Sequence, residues 1–220
     1  MTRETAVVFD FDGVLADTER LHLRAFQDAF AAQGWRLDEA DYFSRYLGFD
    51  DAGLVAEFAR DRRIAIDEHA LARLLDDKAR RFAGRLNDGQ ALFPTAARCV
   101  ARVGATRQLA IASGALRREI EFVLASANLR AAFAAIVGAD DVTRSKPAPD
   151  AYLEATRRLG VRPERAVAIE DSRWGLASAT AAGLRTVAIT TSCRADELQP
   201  ADAIISSLDE LTDSLIQQLL

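Results

Sequence analysis

Cysteine is scarce in this chain: Cys99 and Cys193 are the two present in 220 residues. Their spacing fits no metal-binding pattern, and so small a number excludes a disulfide-stapled scaffold and implies reduced thiols. Cys99 falls in a helical pattern and is expected to pack inside, while nothing near Cys193 marks it as a nucleophile. No apolar stretch reaches the length that a membrane-spanning helix needs. Met1–Thr5 is polar and lacks the charged, apolar and small-residue regions of a secretory signal. A basic excess is also missing: the formal net charge is −5. That speaks against nucleic acid or an anionic membrane surface as the main partner, though a local cationic pocket stays open. There is no internal repeat, low-complexity tract or long flexible linker. These absences leave a soluble cytoplasmic protein, with a monomer as the default expectation.

What is present is enough apolar material for a substantial core, half of the residues being hydrophobic. The length suits one large domain or a core plus a smaller one. Two kinds of segment occur. From Thr18 to Leu86 the pattern is helical: Leu21, Ala25, Phe26, Ala29 and Phe30 recur at helical spacing, as do Leu71, Leu74, Leu75, Lys78 and Phe82. After Phe93-Pro94 short apolar runs alternate with helical patterns. Strands are predicted at 109–112, 134–137, 166–169, 186–189 and 203–205. Helices are predicted at 117–127, 150–159, 172–182 and 208–219. With the first run at Val7-Val8-Phe9, this alternation implies a parallel sheet covered on both faces. The expected architecture is a Rossmann-like α/β core, residues 1–15 and 91–220, with an inserted α-helical cap, residues 16–90. The insertion follows the first strand directly, so the cap is expected to lie near that strand's exit and to close over it as a lid.

Chemistry-bearing residues fall at the predicted ends of four strands. Asp10 and Asp12 follow the first. Burying carboxylates there is costly unless a charged group binds them, and Asp oxygens suit a hard cation such as magnesium. Open α/β sheets place their sites at this end. The plain alternative is a strand running into a turn. Ser113 follows Leu109–Ala112, where its hydroxyl and nearby backbone donors suit a phosphate oxygen; the alternative is an N-cap serine. Lys146 stands in Ser145-Lys146-Pro147-Ala148-Pro149-Asp150, where two prolines restrict the backbone and limit the freedom of the lysine. Glu170 and Asp171 follow Ala166–Ile169 and suit a magnesium site, and Ser172 suits the cap of the next helix. Taken singly each is ambiguous; the set in this order is not.

That order resembles the haloacid dehalogenase superfamily of phosphotransferases, in the branch with a helical cap after the first motif. Asp10-Phe11-Asp12-Gly13-Val14-Leu15-Ala16-Asp17-Thr18-Glu19 resembles its first motif; Ser113, Lys146 and Glu170-Asp171 resemble the second, third and fourth. The resemblance spans nearly the whole chain. It implies that Asp10 is the nucleophile, forming an aspartyl-phosphate, and that Asp12 is the general acid/base. Mg2+ is the implied cofactor, held by the Asp10 side chain, the Asp12 backbone carbonyl and the Asp171 side chain, with Glu170 as a further ligand. Ser113, Gly114 and Lys146 are the implied phosphate-binding residues. An acid at position 12 separates the phosphatase and phosphomutase branches from those lacking one there.

The resemblance leaves two reactions. Water as acceptor gives a phosphatase for a small phosphorylated metabolite, a sugar phosphate by preference; a second sugar phosphate gives a mutase of the β-phosphoglucomutase type. Thr18, His22 and Lys78 match cap features of the mutase, and Gly48 and Arg45 are further substrate candidates. The cap segment Tyr46-Leu47-Gly48-Phe49-Asp50-Asp51 departs from it, with aspartates where the mutase uses an arginine. Ala115-Leu116-Arg117 replaces the Ser-Lys-Asn that follows the mutase's second motif. A mutase must grip two phosphates in alternation, so the lost anchors favour hydrolysis. A non-catalytic binding protein on the same fold is disfavoured by the complete set of acids and lysine. Trp35, Phe49 and Trp174 are expected to pack in the core or at hinges.

Overall fold

The computed structural model describes residues 4–47, 49–86 and 91–220. The chain divides into two compact units, Met1–Asp17 with Ala91–Leu220, and Thr18–Gln90.

The first unit is built on six strands: β1 (Ala6–Phe9), β2 (Gln108–Ala112), β3 (Ala135–Val137), β4 (Ala166–Glu170), β5 (Arg185–Ile189) and β6 (Ala203–Ile205). They form one parallel sheet in the order β3-β2-β1-β4-β5-β6. This is the Rossmann-like core that the alternation of strands and helices implies. β1 reads Ala-Val-Val-Phe and is buried throughout, as a central strand covered on both faces must be. One face of the sheet is nearly all small: Ala6, Val8, Ala110, Ala112, Ala166 and Ala168 pack in one cluster with Ala151, Tyr152 and Ala155. Those last three belong to α7 (Asp150–Leu159), which touches β1, β2 and β3. Small side chains on the sheet let this helix approach closely enough for Tyr152 to sit fully buried.

The remaining helices of this unit are α5 (Ala96–Gly104), α6 (Arg117–Ser126), α8 (Arg173–Ala181) and α9 (Asp213–Leu219). Cys99 is buried in α5, as its pattern predicts. Ser172 is the N-cap of α8, accepting from the Gly175 N–H at 3.0 Å. The single helix expected over 208–219 is broken. Leu208–Glu210 is a 3-10 turn, and α9 starts afresh after Thr212, whose hydroxyl caps the Leu215 N–H. A strong capping residue inside an apolar pattern interrupts it.

The second unit holds α1 (Glu19–Ala31), α2 (Glu39–Asp41), a π-helical turn at Tyr42–Tyr46, α3 (Asp51–Arg62) and α4 (Glu68–Leu86). Its core is Leu23, Phe26, Phe30, Tyr42, Tyr46, Leu54, Phe58 and Leu74, with Trp35 packed against it. Phe49 departs from expectation: it is 50% exposed rather than packed. It lies in the short segment leading into α3, its ring against Gly53 in the first turn of that helix and its other side open. Among the described residues no helix is long and apolar enough to cross a membrane.

β1, β2 and β3 progress to one side, and β4 returns to the other side of β1. The strand order therefore reverses between β1 and β4, which makes their carboxyl ends a topological switch point.

Candidate active site

Parallel register aligns Phe9 with Ile111 on one side and Ile169 on the other. One residue further out, Asp10 stands level with Glu170, and the Asp10 N–H donates to the Ile169 carbonyl at 2.9 Å. Asp171 and Ser113 are one step beyond on the flanking strands. Register alone thus gathers three acids and a serine at one end of the sheet.

Beyond Asp10 the chain folds back on itself. The N–H groups of Leu15 and Ala16 both donate to the Phe11 carbonyl at 2.9 Å, and the Gly13 N–H donates to Ala16 at 2.8 Å. Asp12 forms an isolated bridge with Ala16. Gly13 has φ +77°, and a Cβ there would lie 1.8 Å from Asp171 Oδ2. No other residue fits this backbone against that carboxylate. The Thr191 hydroxyl donates to the Gly13 carbonyl, and the Ser192 hydroxyl borders the same glycine beside the Asp171 carboxyl.

Lys146 arrives from the loop before α7. Its Nζ lies 2.9 Å from Asp10 Oδ1 and 2.5 Å from Glu170 Oε1. The second contact is a hydrogen bond; the first is a close ion pair that misses hydrogen-bond geometry in angle, leaving Asp10 Oδ1 buried without a well-formed hydrogen bond. Glu170 is wholly buried and accepts from Lys146, from the Tyr152 hydroxyl at 2.7 Å and from the Ser172 hydroxyl at 3.2 Å. Burial pulls the Lys146 ammonium down, but the charges of Asp10 and Glu170 outweigh it and hold the ammonium well above the usual lysine value. Burial raises the Glu170 carboxyl, with Lys146 opposing. Burial, then the charges of Asp10 and Glu170, pushes the Asp171 carboxyl well above the carboxylate range.

These are the marks of a site built for a cation. Oxygens from Asp10, Glu170 and Asp171 lie within 4.8 Å of one another, and all three residues are buried. One lysine cannot balance three carboxylates, and Asp10 Oδ1 receives no well-formed hydrogen bond. An all-oxygen donor set of this kind fits a hard ion such as Mg2+.

Ser113 is buried, and its N–H donates to the Val137 carbonyl at 3.0 Å. Its hydroxyl accepts from the Ala115 N–H at 3.1 Å, while Leu116 occupies the N-cap of α6. Ser113 is therefore not a helix cap. Gly114 is exposed, with open space where a side chain would be.

Thr18, His22 and Lys78 belong to the helical unit. Thr18 is buried at the head of α1, its carbonyl accepting from the His22 N–H at 2.8 Å. Lys78 is 1% exposed. Its Nζ lies 2.7 Å from His22 Nδ1 and donates to both Asp51 oxygens, at 2.9 and 2.7 Å, between the rings of Phe26 and Phe82. Burial, then the Lys78 charge, holds His22 well below the usual histidine value, so Nδ1 is the acceptor of a neutral ring. Arg45 is paired with Asp61. Gly48 lies outside the described residues.

Sequence reasoning missed Tyr152, Gly175 and Ser192. Tyr152 reads as an ordinary core position of α7. Gly175 sits inside the fourth motif segment, where a glycine early in a helix was the available signal. Ser192 carries none.

The haloacid dehalogenase-like hydrolase family matches this sequence over residues 7–189. Protein CbbY of Rhodobacter capsulatus is 35% identical over 222 residues, covering 97% of this chain and 98% of that protein. Fructose-1-phosphate phosphatase YqaB of Escherichia coli (strain K12) is 32% identical over 186 residues, 84% of this chain and 96% of that one. The crystal structure of a CbbY variant from Rhodobacter sphaeroides in complex with xylulose-(1,5)bisphosphate is similar, with a TM-score of 0.85 at 34% identity and 96% of each chain covered. With the family matched from β1 through β5 and relatives alike over nearly their full length, the chain belongs to the haloacid dehalogenase-like hydrolases.

Proposed function

We propose that this chain is a magnesium-dependent phosphatase for phosphorylated sugars, with Asp10 as nucleophile and Asp12 as proton-transfer group. YqaB is by its name a phosphatase of a phosphorylated sugar, a CbbY variant is seen with a sugar bisphosphate, and the chain is a phosphoric monoester hydrolase of the same family. The observation that carries the residue assignment is the Lys146–Asp10 ion pair at the switch point, beside two further acids.

Asp10 attacks phosphorus and forms an acyl phosphate, while the departing sugar oxygen takes the proton held by Asp12. Asp12, now a carboxylate, removes a proton from water. That water attacks the phosphorus, releases inorganic phosphate and restores Asp10. A carboxylate and a phosphate dianion repel each other; the Lys146 ammonium, charged across the working pH range, offsets this from 2.9 Å away. The Ser113 hydroxyl and the Gly114 N–H hold the transferring group. Mg2+, held by Asp10, Asp171 and the Asp12 carbonyl with Glu170 as a further ligand, would neutralise charge on the phosphoryl oxygens.

Lys78 and Arg45 are already ion-paired inside the helical unit, which supports water over a second sugar phosphate as acceptor. In this reading the enzyme is a cytoplasmic monomer acting on a small metabolite, with no nucleic-acid or membrane partner. The test is phosphate release with Mg2+ from a panel of sugar phosphates, including fructose 1-phosphate and xylulose-(1,5)bisphosphate. β-Glucose 1-phosphate with a bisphosphate primer is run in parallel. Release of phosphate supports hydrolysis; glucose 6-phosphate formed without it overturns hydrolysis in favour of a mutase.

A further inference from the structure

Lys146 must stay in place while its partner changes. Asp10 is a carboxylate before attack and an acyl phosphate after it, so an ammonium held by Asp10 alone would lose its anchor in mid-reaction. The contact to Asp10 is a 2.9 Å ion pair that misses hydrogen-bond geometry, whereas the contact to Glu170 is a hydrogen bond at 2.5 Å. Both carboxylates hold the ammonium, and Glu170 is the one that keeps its charge when Asp10 is acylated.

Glu170 in turn needs an anchor, because the terminal torsion of a glutamate is soft. Tyr152 supplies it. Its hydroxyl donates at 2.7 Å to Oε1, the same oxygen that receives Lys146, and its ring centroid lies 5.1 Å from Lys146 Nζ. The ring is fully buried among the alanines of α7 and the sheet, where phenylalanine would pack as well. A phenol there places a donor that the packing does not require.

We propose that Tyr152 is a positioning residue for phosphoryl transfer: through Glu170 it keeps the Lys146 ammonium in register while Asp10 passes from carboxylate to acyl phosphate. The proposal rests on Asp10 as nucleophile.

The chain contains two lysines, Lys78 and Lys146. Protein labelled with 15N-lysine therefore gives two side-chain ammonium signals, assigned by Lys146→Met, with Lys78 in the helical unit as internal reference. In Tyr152→Phe the Lys146 signal is expected to shift and its protons to exchange faster, with Lys78 unmoved. The same variant is expected to lose roughly tenfold in kcat, with KM within about twofold. Adding Tyr152→Phe to Glu170→Gln is expected to cost nothing beyond Glu170→Gln alone, because the hydroxyl acts through that carboxylate. An unmoved Lys146 signal, or unchanged kcat in the folded variant, overturns the proposal. Where Tyr152→Phe does not fold, 3-fluorotyrosine throughout the chain keeps the ring and alters the donor; an unmoved Lys146 signal then overturns it equally. Full turnover by Asp10→Asn overturns the nucleophile reading instead, and the lysine signal still decides whether Tyr152 anchors the ammonium.

Discussion

A methyl group on Gly175 would stand 1.9 Å from the Glu170 carboxylate. Glu170 is wholly buried and bonded through both oxygens, so it has nowhere to yield. Gly175→Ala is therefore expected to displace Glu170, destabilise the fold by about 1–3 kcal/mol and lower turnover. Gly160 provides the contrast: its φ is +67°, but open space surrounds it. Gly160→Ala is expected to cost ~1 kcal/mol in backbone strain and leave turnover intact. Urea titration and phosphate release measure both; equal loss of activity in the two variants would refute the distinction.

Three buried carboxylates with one ammonium between them store repulsion. Asp171 shows it most, its carboxyl raised by burial and then by Asp10 and Glu170. In metal-free protein, a group raised on folding adds stability below its unfolded value and loses it as pH rises through the folded value. Asp171→Asn keeps an oxygen beside Ser192 and removes that charge. It is expected to raise metal-free stability at pH 7 by ~1 kcal/mol or more, while abolishing the thermal shift that Mg2+ gives the native chain. A variant that is less stable without metal, or that keeps the Mg2+ shift, contradicts this.

Lys146 contributes a charge at a fixed point, and arginine is a poor substitute at 13% exposure between Asp10 and Glu170. Lys146→Met and Lys146→Arg are both expected to lose ~100-fold or more in kcat. Asp10→Asn is expected to abolish burst and steady-state phosphate release with the circular dichroism spectrum unchanged. Arginine restoring near-native kcat would show that charge alone suffices.

The sheet was legible because its strands are short, apolar and separated by helical periods, and Asp10, Lys146 and Asp171 because each stands at a strand exit or beside prolines. Side-chain detail was not. Tyr152 has the spacing of any core residue, and only the closeness of α7 over an alanine face puts its hydroxyl on Glu170. Gly13 lies within the first motif, yet its contact with Asp171 needs strands distant in sequence to be adjacent. Leu208–Leu219 read as one helix because apolar period outweighed the Thr212 cap. Lys78 recurs at helical spacing with the apolar residues of α4, but the spacing revealed neither its burial nor its bond to Asp51, because a lysine on a helix is ordinarily solvated.

His22 is the group whose titration the fold suppresses. Its ring stacks on Phe82 at 4.0 Å, and its Nδ1 faces the Lys78 ammonium, itself paired with Asp51. Burial and then that charge hold its value well below 6.5. The unfolded chain takes up a proton as pH falls through about 6.5 and the folded chain does not, so acid favours unfolding. This one group is expected to remove stability below about pH 6.5, at up to ~1.4 kcal/mol per pH unit, until the folded ring itself protonates. With Mg2+ present, so that the carboxylate cluster does not contribute an opposite slope, Tm is expected to fall from pH 7 to pH 5. The fall is expected to be shallower in His22→Asn, which keeps an acceptor for Lys78 but cannot titrate. The chain has two histidines, His22 and His69. A proton NMR titration therefore reads His22 directly, and a midpoint at or above 6.5 would mean that the ring is not held neutral by its neighbours.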